Sequence, residues 1–177
     1  GQYIFQESWV NATFDYAFTG IMAPWQNIHK IATEQGLEEV DALATVVKVA
    51  GMHRIADTFG PIPYVNYGAS NQYDPLDKIY EKFFEELGSA IEILGNYVSG
   101  NSSAKLMSDY DYIYGGSVAQ WVKFANTLRL RLAMRVAYAN PQLAQEQAEL
   151  SVNSPYGLIE TKADRAELNH GLLSYHH

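Results

Sequence analysis

The chain contains no cysteine, which excludes a disulfide framework and a zinc–thiolate site. Positive charge is scarce: 12 basic residues against 20 acidic ones leave a net charge of −8, and the Arg-rich run near position 130 is interleaved with apolar residues. A partner read through its phosphate backbone needs a basic patch, so nucleic acid is excluded as a partner class. No apolar run approaches the roughly 18 residues of a membrane-spanning helix. The chain opens at Gly1-Gln2-Tyr3 without a methionine, and we expect the native N-terminus to be missing from it. Catalytic signatures are equally sparse. The five histidines form neither an HExxH motif nor an i,i+4 ligand pair, and no GxSxG elbow occurs. Gly115-Gly116 lacks the lysine of a phosphate-binding loop, and Asp109 and Asp111 lack the further ligands and closing Glu of a calcium loop.

Apolar residues and tyrosine are abundant. Hydrophobic residues make up 47% of the 177 positions and charged ones 18%, a globular balance with enough chain for a real core. The 13 tyrosines outnumber the 7 phenylalanines, which favours partly wet aromatic surfaces.

Apolar spacing of three and four predicts helices throughout. Phe14, Phe18, Ile21, Trp25, Ile28 and Ile31 place one over Asn11 to about Thr33, with Pro24 as a break or first turn and Trp25 in the core. The second, Glu38 to Thr58, is apolar over much of its circumference and is therefore expected to be central. Gly60, before Pro61 and Pro63, is expected as its left-handed C-cap. A third helix starts with Asp74 as cap and Pro75 in its first turn, and ends at Gly95. A fourth starts in a capping box of Ser117 and Gln120 and ends at Asn140-Pro141; a fifth covers Gln142 to Val152. The fold class is all-α, an array of helical hairpins like tetratricopeptide repeats although the 34-residue consensus is not met.

Adjacent carboxylates at Glu38-Glu39 and Glu85-Glu86 point around a helix and are expected on solvated faces. His53 is expected as a satisfied, partly buried residue rather than a ligand, and no weight falls on His176-His177. One cross-helix interaction stands out: Asp57, at the chain break and one turn from Arg54, is placed to accept a bidentate bond from Arg131 or Arg135. In the loop that follows, Tyr67, Asn71 and Tyr73 combine aromatic faces with an amide, the residue types that hold a sugar ring.

Four segments, "HRIADTFGPIPYVNYG", "YDPLDKIYEKFFEELGSAIEIL", "DYIYGGSVAQWVKFANTLRLRLAMRVA" and "YGLIETKADRAEL", resemble the SusD/RagB family in order and approximate spacing. The ordered set, from DxxGxxPY to WxKFANxLxLRLAMR, spans roughly residues 40 to 170. The resemblance implies a SusD-like helical domain over 1–177 of a larger protein, lacking its native N-terminus and C-terminal half. It further implies a non-enzymatic glycan- or nutrient-binding lipoprotein on the outer membrane, partnered by a SusC-type TonB-dependent transporter and an oligosaccharide or other nutrient. No cofactor or metal is implied, and contact with the membrane would run only through a lipid anchor outside this chain. The matching motif residues Asp57, Gly60, Pro63, Tyr64, Trp121, Asn126, Arg131 and Arg135 are expected to be structural. Two alternatives remain open: a helical-repeat scaffold that binds protein without sugar, and an α-helical glycoside hydrolase.

Overall fold

A computed structural model describes residues 7–168, with side chains from residue 11. His176-His177 lie outside the described residues. The order is α1 (Glu7–Ala17), a π-helical segment (Phe18–Met22), α2 (Ala23–Gln35), α3 (Glu38–Phe59), α4 (Leu76–Val98), α5 (Val118–Val136), α6 (Pro141–Val152) and a 3-10 turn (Lys162–Asp164). Each helix from α2 onward packs on the next in sequence. The protein is all-α as predicted, a stack of helical hairpins, and among the described residues no helix is long and apolar enough to cross a membrane.

The core runs along the stack. Val46, Val49 and Met52 of α3 meet Ile79, Phe83 and Leu87 of α4, and Val118, Val122, Ala125 and Leu132 of α5 continue it. Two glycines allow close approaches. A Cβ at Gly51 would lie 2.6 Å from Ile21 Cδ1, so α3 admits the side chain of the π-helical segment there. A Cβ at Gly95 would lie 2.2 Å from Tyr156 Cζ.

That second contact corrects one expectation. Gly95 does not end its helix, which runs on to Val98; the glycine makes room for the Tyr156 ring. The first predicted helix is interrupted by the wider π turn rather than by Pro24, which sits in the first turn of α2. Gly60 has the expected positive φ of 80°, but its ψ of −130° is outside the left-handed helical region, so it turns the chain sharply instead of forming that cap.

Two N-cap expectations also fail. Asp74 does not cap α4; its Oδ2 accepts from the backbone N–H groups of Tyr64 and Val65, at 2.9 and 2.8 Å. Ser117 makes no side-chain cap, and Gln120 Nε2 donates instead to the Ala163 carbonyl at 2.9 Å. The reciprocal capping box lies at Thr161 and Asp164. Helix α5 ends at Val136, with Ala137 as its C-cap, earlier than the expected Asn140-Pro141; Asn140 instead opens α6, its Oδ1 accepting from Leu143 N.

Candidate functional site

The Gly60–Pro63 corner is fixed at both ends. Asp57 Oδ2 pairs with Arg135 Nη2 at 2.8 Å, and Tyr80 OH donates to Asp57 Oδ1 at 2.6 Å. The two carboxylate oxygens thus serve two helices, which rules out the bidentate arrangement expected from one arginine. Arg131 lies exposed on α5 and is not the partner. The Tyr80 hydroxyl is pushed up to about 12 by burial and by its bond to Asp57. Double-mutant cycles read from urea midpoints are expected to show coupling of Asp57 to Arg135 and none to Arg131.

Beyond the corner Tyr64 points inward, 3% exposed, and its hydroxyl donates to Glu86 Oε2 at 2.5 Å. Glu86 Oε1 receives Lys48 Nζ at 2.7 Å. Lys48 is fully enclosed: its ammonium lies 3.6 Å from the centroid of the Trp25 ring and 4.8 Å from that of Tyr64. Burial lowers the Lys48 pKa although Glu86 opposes the shift, and burial followed by the Glu86 charge raises that of Tyr64 well above the tyrosine range. Glu86 is therefore not on a solvated face as expected. Its neighbour Glu85 is, paired with Lys82 at 2.7 Å.

This buried group floors a cleft of about 360 Å³ between α2, α3, α4 and the corner. Trp25 stands in the cleft wall, half-buried rather than in the core, with its Nε1 donating to Thr45 Oγ1 at 3.1 Å and His29 stacked 5.2 Å away. His29 is in turn held 2.9 Å from Asp41. Ser89, Ile93 and Tyr67 complete the rim. The cleft combines aromatic rings with hydroxyl, imidazole and carboxylate groups already fixed by internal bonds, an arrangement suited to binding a polyhydroxylated ring.

The three predicted ligand residues are separated by the fold. Tyr67 borders the cleft and packs against Phe18, with ring centroids 5.9 Å apart. Tyr73 stacks on Phe14 of α1 at 6.5 Å and leaves 60% of its surface open. Asn71 is exposed between them. The sequence reading missed Lys48 and Trp25 as cleft residues. The signal for Lys48 was present: a lone lysine inside the apolar run Val46-Val47-Lys48-Val49-Ala50, where an unpaired charge has no place.

The remaining motif residues hold the second hairpin. Asn126, fully buried, donates from Nδ2 to the carbonyls of Ser151 and Gly157 at 2.9 and 2.8 Å, fastening α5 to the end of α6. Trp121 Nε1 donates to Asp111 Oδ2 at 2.7 Å. Asp111 also accepts from the backbone N–H groups of Ile113, Tyr114 and Gly116, so it organises the Tyr-rich turn. Among the described residues no cluster of acidic or histidine side chains is placed to hold a metal ion.

Three comparisons bear on this arrangement. The profile of the SusD-like family, described as SusD and RagB outer membrane lipoprotein, matches residues 1–177. Among solved structures, a chitin-binding SusD homologue from Flavobacterium johnsoniae is 34% identical with a TM-score of 0.86, the match covering 92% of this chain and 34% of that one. A SusD homologue from Bacteroides uniformis is 40% identical at a TM-score of 0.72, covering 80% of this chain and 29% of its own. One from Bacteroides vulgatus is 28% identical at 0.85, covering 94% and 34%. The chain thus spans about one third of the length of these relatives. No curated protein matches.

Proposed function

The chain belongs to the SusD-like family of SusD and RagB outer membrane lipoproteins, and from that premise we propose that it is the helical domain of a non-enzymatic glycan-binding subunit serving a SusC-type TonB-dependent transporter. The family is one of the outer membrane. The observation that carries the glycan assignment is the 34% identity to a chitin-binding homologue over 92% of this chain. The cleft beside the corner supports it: a sugar ring's apolar face meets the Tyr67 side of the rim, and its hydroxyls meet Ser89, Asp41 and Glu85. Tyr73 and Asn71 lie outside the cleft lining, on the same loop, and meet only a ligand long enough to run past Tyr67.

The acids of the cleft support binding without hydrolysis. Glu86 is engaged by Lys48 and Tyr64, Glu85 by Lys82, and Asp41 by His29. A glycosidase needs a pair of carboxyl groups set across the bond it cleaves, and Glu86, the enclosed acid of the cleft, is taken up by Lys48 and Tyr64. In the full-length protein, Tyr67→Ala is expected to weaken chitin-oligosaccharide affinity by about 5- to 30-fold in calorimetric titration, the loss of ~1–2 kcal/mol of ring stacking. Unchanged affinity for both Tyr67→Ala and Tyr73→Ala would overturn the site. Time-dependent release of reducing ends would instead favour the hydrolase. Co-purification with a transporter but no saccharide response would favour the protein-binding scaffold.

A further inference from the structure

Arg129 of α5 is half-buried and yet makes a single bond. Its Nε donates to Gln147 Oε1 at 2.8 Å, and Gln147 is itself buried. That bond fixes the plane of the guanidinium. Among the described residues nothing else bonds to it or pairs with it, so its four Nη–H donors have no acceptor there. Burial lowers the Arg129 pKa, against the opposing charge of Glu146, as it does for a cation without close compensation. Donors held in one orientation without an acceptor mark a place where a ligand can supply one.

These donors line a groove of about 620 Å³ between α4, α5 and α6, which shares no lining residue with the cleft at Tyr67. Gly88 of α4 makes room beside them: a Cβ there would lie 3.9 Å from Arg129 Nη2 and close to nothing else. Leu150 and Tyr156 give the groove apolar walls, and Ser154 adds a hydroxyl. The charges along it select the ligand. Glu92, Glu146 and Glu149 outnumber the one guanidinium, so a carboxylate or sulfate group meets net repulsion. A neutral amide meets none. It also supplies what the groove lacks, a carbonyl for the Nη donors and an N–H for a glutamate.

We propose that this groove is a second saccharide-binding site, one that takes an N-acetylated sugar by its acetamide group. The acetamide carbonyl accepts from Arg129, its N–H donates to Glu92 or Glu146, and its methyl lies against Leu150 and Tyr156. The sugar hydroxyls reach Ser154 and the remaining glutamate oxygens. The choice of a sugar amide over a peptide amide rests on the glycan-binding reading above.

Arginine side-chain N–H signals in NMR spectra of the full-length protein test this, the Arg129 signal being identified by its loss in Arg129→Lys. Titration with di-N-acetylchitobiose is expected to move that signal to saturation. Cellobiose, with hydroxyls in place of acetamides, is expected to need a concentration about tenfold higher or more, the loss of a hydrogen bond to a charged group. Gly88→Leu, which fills the groove and keeps Arg129, is expected to abolish the shift, with a urea melt to check its fold. Persistence of the shift in folded Gly88→Leu would overturn the proposal. An unmoved Arg129 signal, beside saccharide binding that Tyr67→Ala weakens, would overturn the second site and leave the cleft standing. An equal response to N-acetylalanine methylamide would overturn it in favour of a peptide ligand, and no saccharide response at either place would overturn both sites.

Discussion

Glu86→Leu is expected to lower the unfolding free energy by about 3–5 kcal/mol, the effect of removing one partner from a buried ion pair. The substitution leaves two enclosed donors without an acceptor: the Lys48 ammonium, whose side chain is 1% exposed, and the Tyr64 hydroxyl. The double variant Lys48→Met with Glu86→Leu is expected to recover part of that loss, since the ammonium goes with its partner while the Tyr64 hydroxyl stays without an acceptor. Urea melts of the single and double variants measure both quantities. The pH dependence distinguishes a buried ammonium from a merely broken contact. Burial sets the folded pKa of Lys48 below its ordinary 10.5, so between those values the unfolded chain binds the extra proton and stability rises with pH. Without Glu86 the folded pKa falls further and the rising window widens toward neutrality. Readings belong below pH 10, because above it the unfolded chain loses the Tyr64 proton that the fold retains, and stability falls again. A flat profile for Glu86→Leu between pH 7 and 10 would show that Lys48 escapes to water.

The same group of residues marks where sequence reasoning stops. The helices were legible, because apolar spacing reports which face must be covered, and α3, expected to be central, packs on α1, α2, α4 and α5. The misread residues were polar ones near helix ends: Asp74, Ser117 and Gln120 all fit local caps, yet Asp74 serves Tyr64 and Val65 and Gln120 reaches Ala163. Local pattern identifies a group that needs a hydrogen bond but not which distant group satisfies it. Glu86 failed for the same reason, since its partners lie 22 and 38 residues away and only the packing of α3 on α4 brings them together. For the cleft, the aromatic loop was visible in Tyr67, but the role of Trp25 depends on how α2 crosses α3. Just before α2, the π-helical segment comes close to α3 where Ile21 meets Gly51, an approach to which periodicity is blind. Asp57 was the informative exception: a carboxylate at a chain break, opposite a helix with arginines at i and i+4, left few geometries, and the structure selects Arg135.

Asp111→Ala is expected to destabilise the second hairpin by about 2–4 kcal/mol, as four donors lose one shared acceptor. Three are backbone N–H groups in a turn that water can reach in part; the fourth is the indole N–H of Trp121, a residue only 4% exposed, and it carries most of the penalty. The effect extends beyond the turn, since Trp121 packs edge-on against Tyr114, whose hydroxyl donates to the Asp164 carbonyl. Loss of Asp111 therefore loosens the contact between the start of α5 and the 3-10 turn. Near-UV circular dichroism of the tryptophan band, followed through a urea melt, reports this change. Acid should reproduce it in the unmodified chain. Burial alone would raise the Asp111 pKa, but the bonds from Trp121, Tyr114, Gly116 and Ile113 outweigh it and set the folded value below the ordinary 3.8. The resulting stability is fully present above pH 3.8 and is lost as pH falls through the folded pKa, where the carboxylate takes up a proton. An Asp111→Asn variant, which keeps the size but not the charge, is expected to lose this acid step; if its tryptophan band still collapses over the same pH range as the parent, the turn is held by something other than the Asp111 carboxylate.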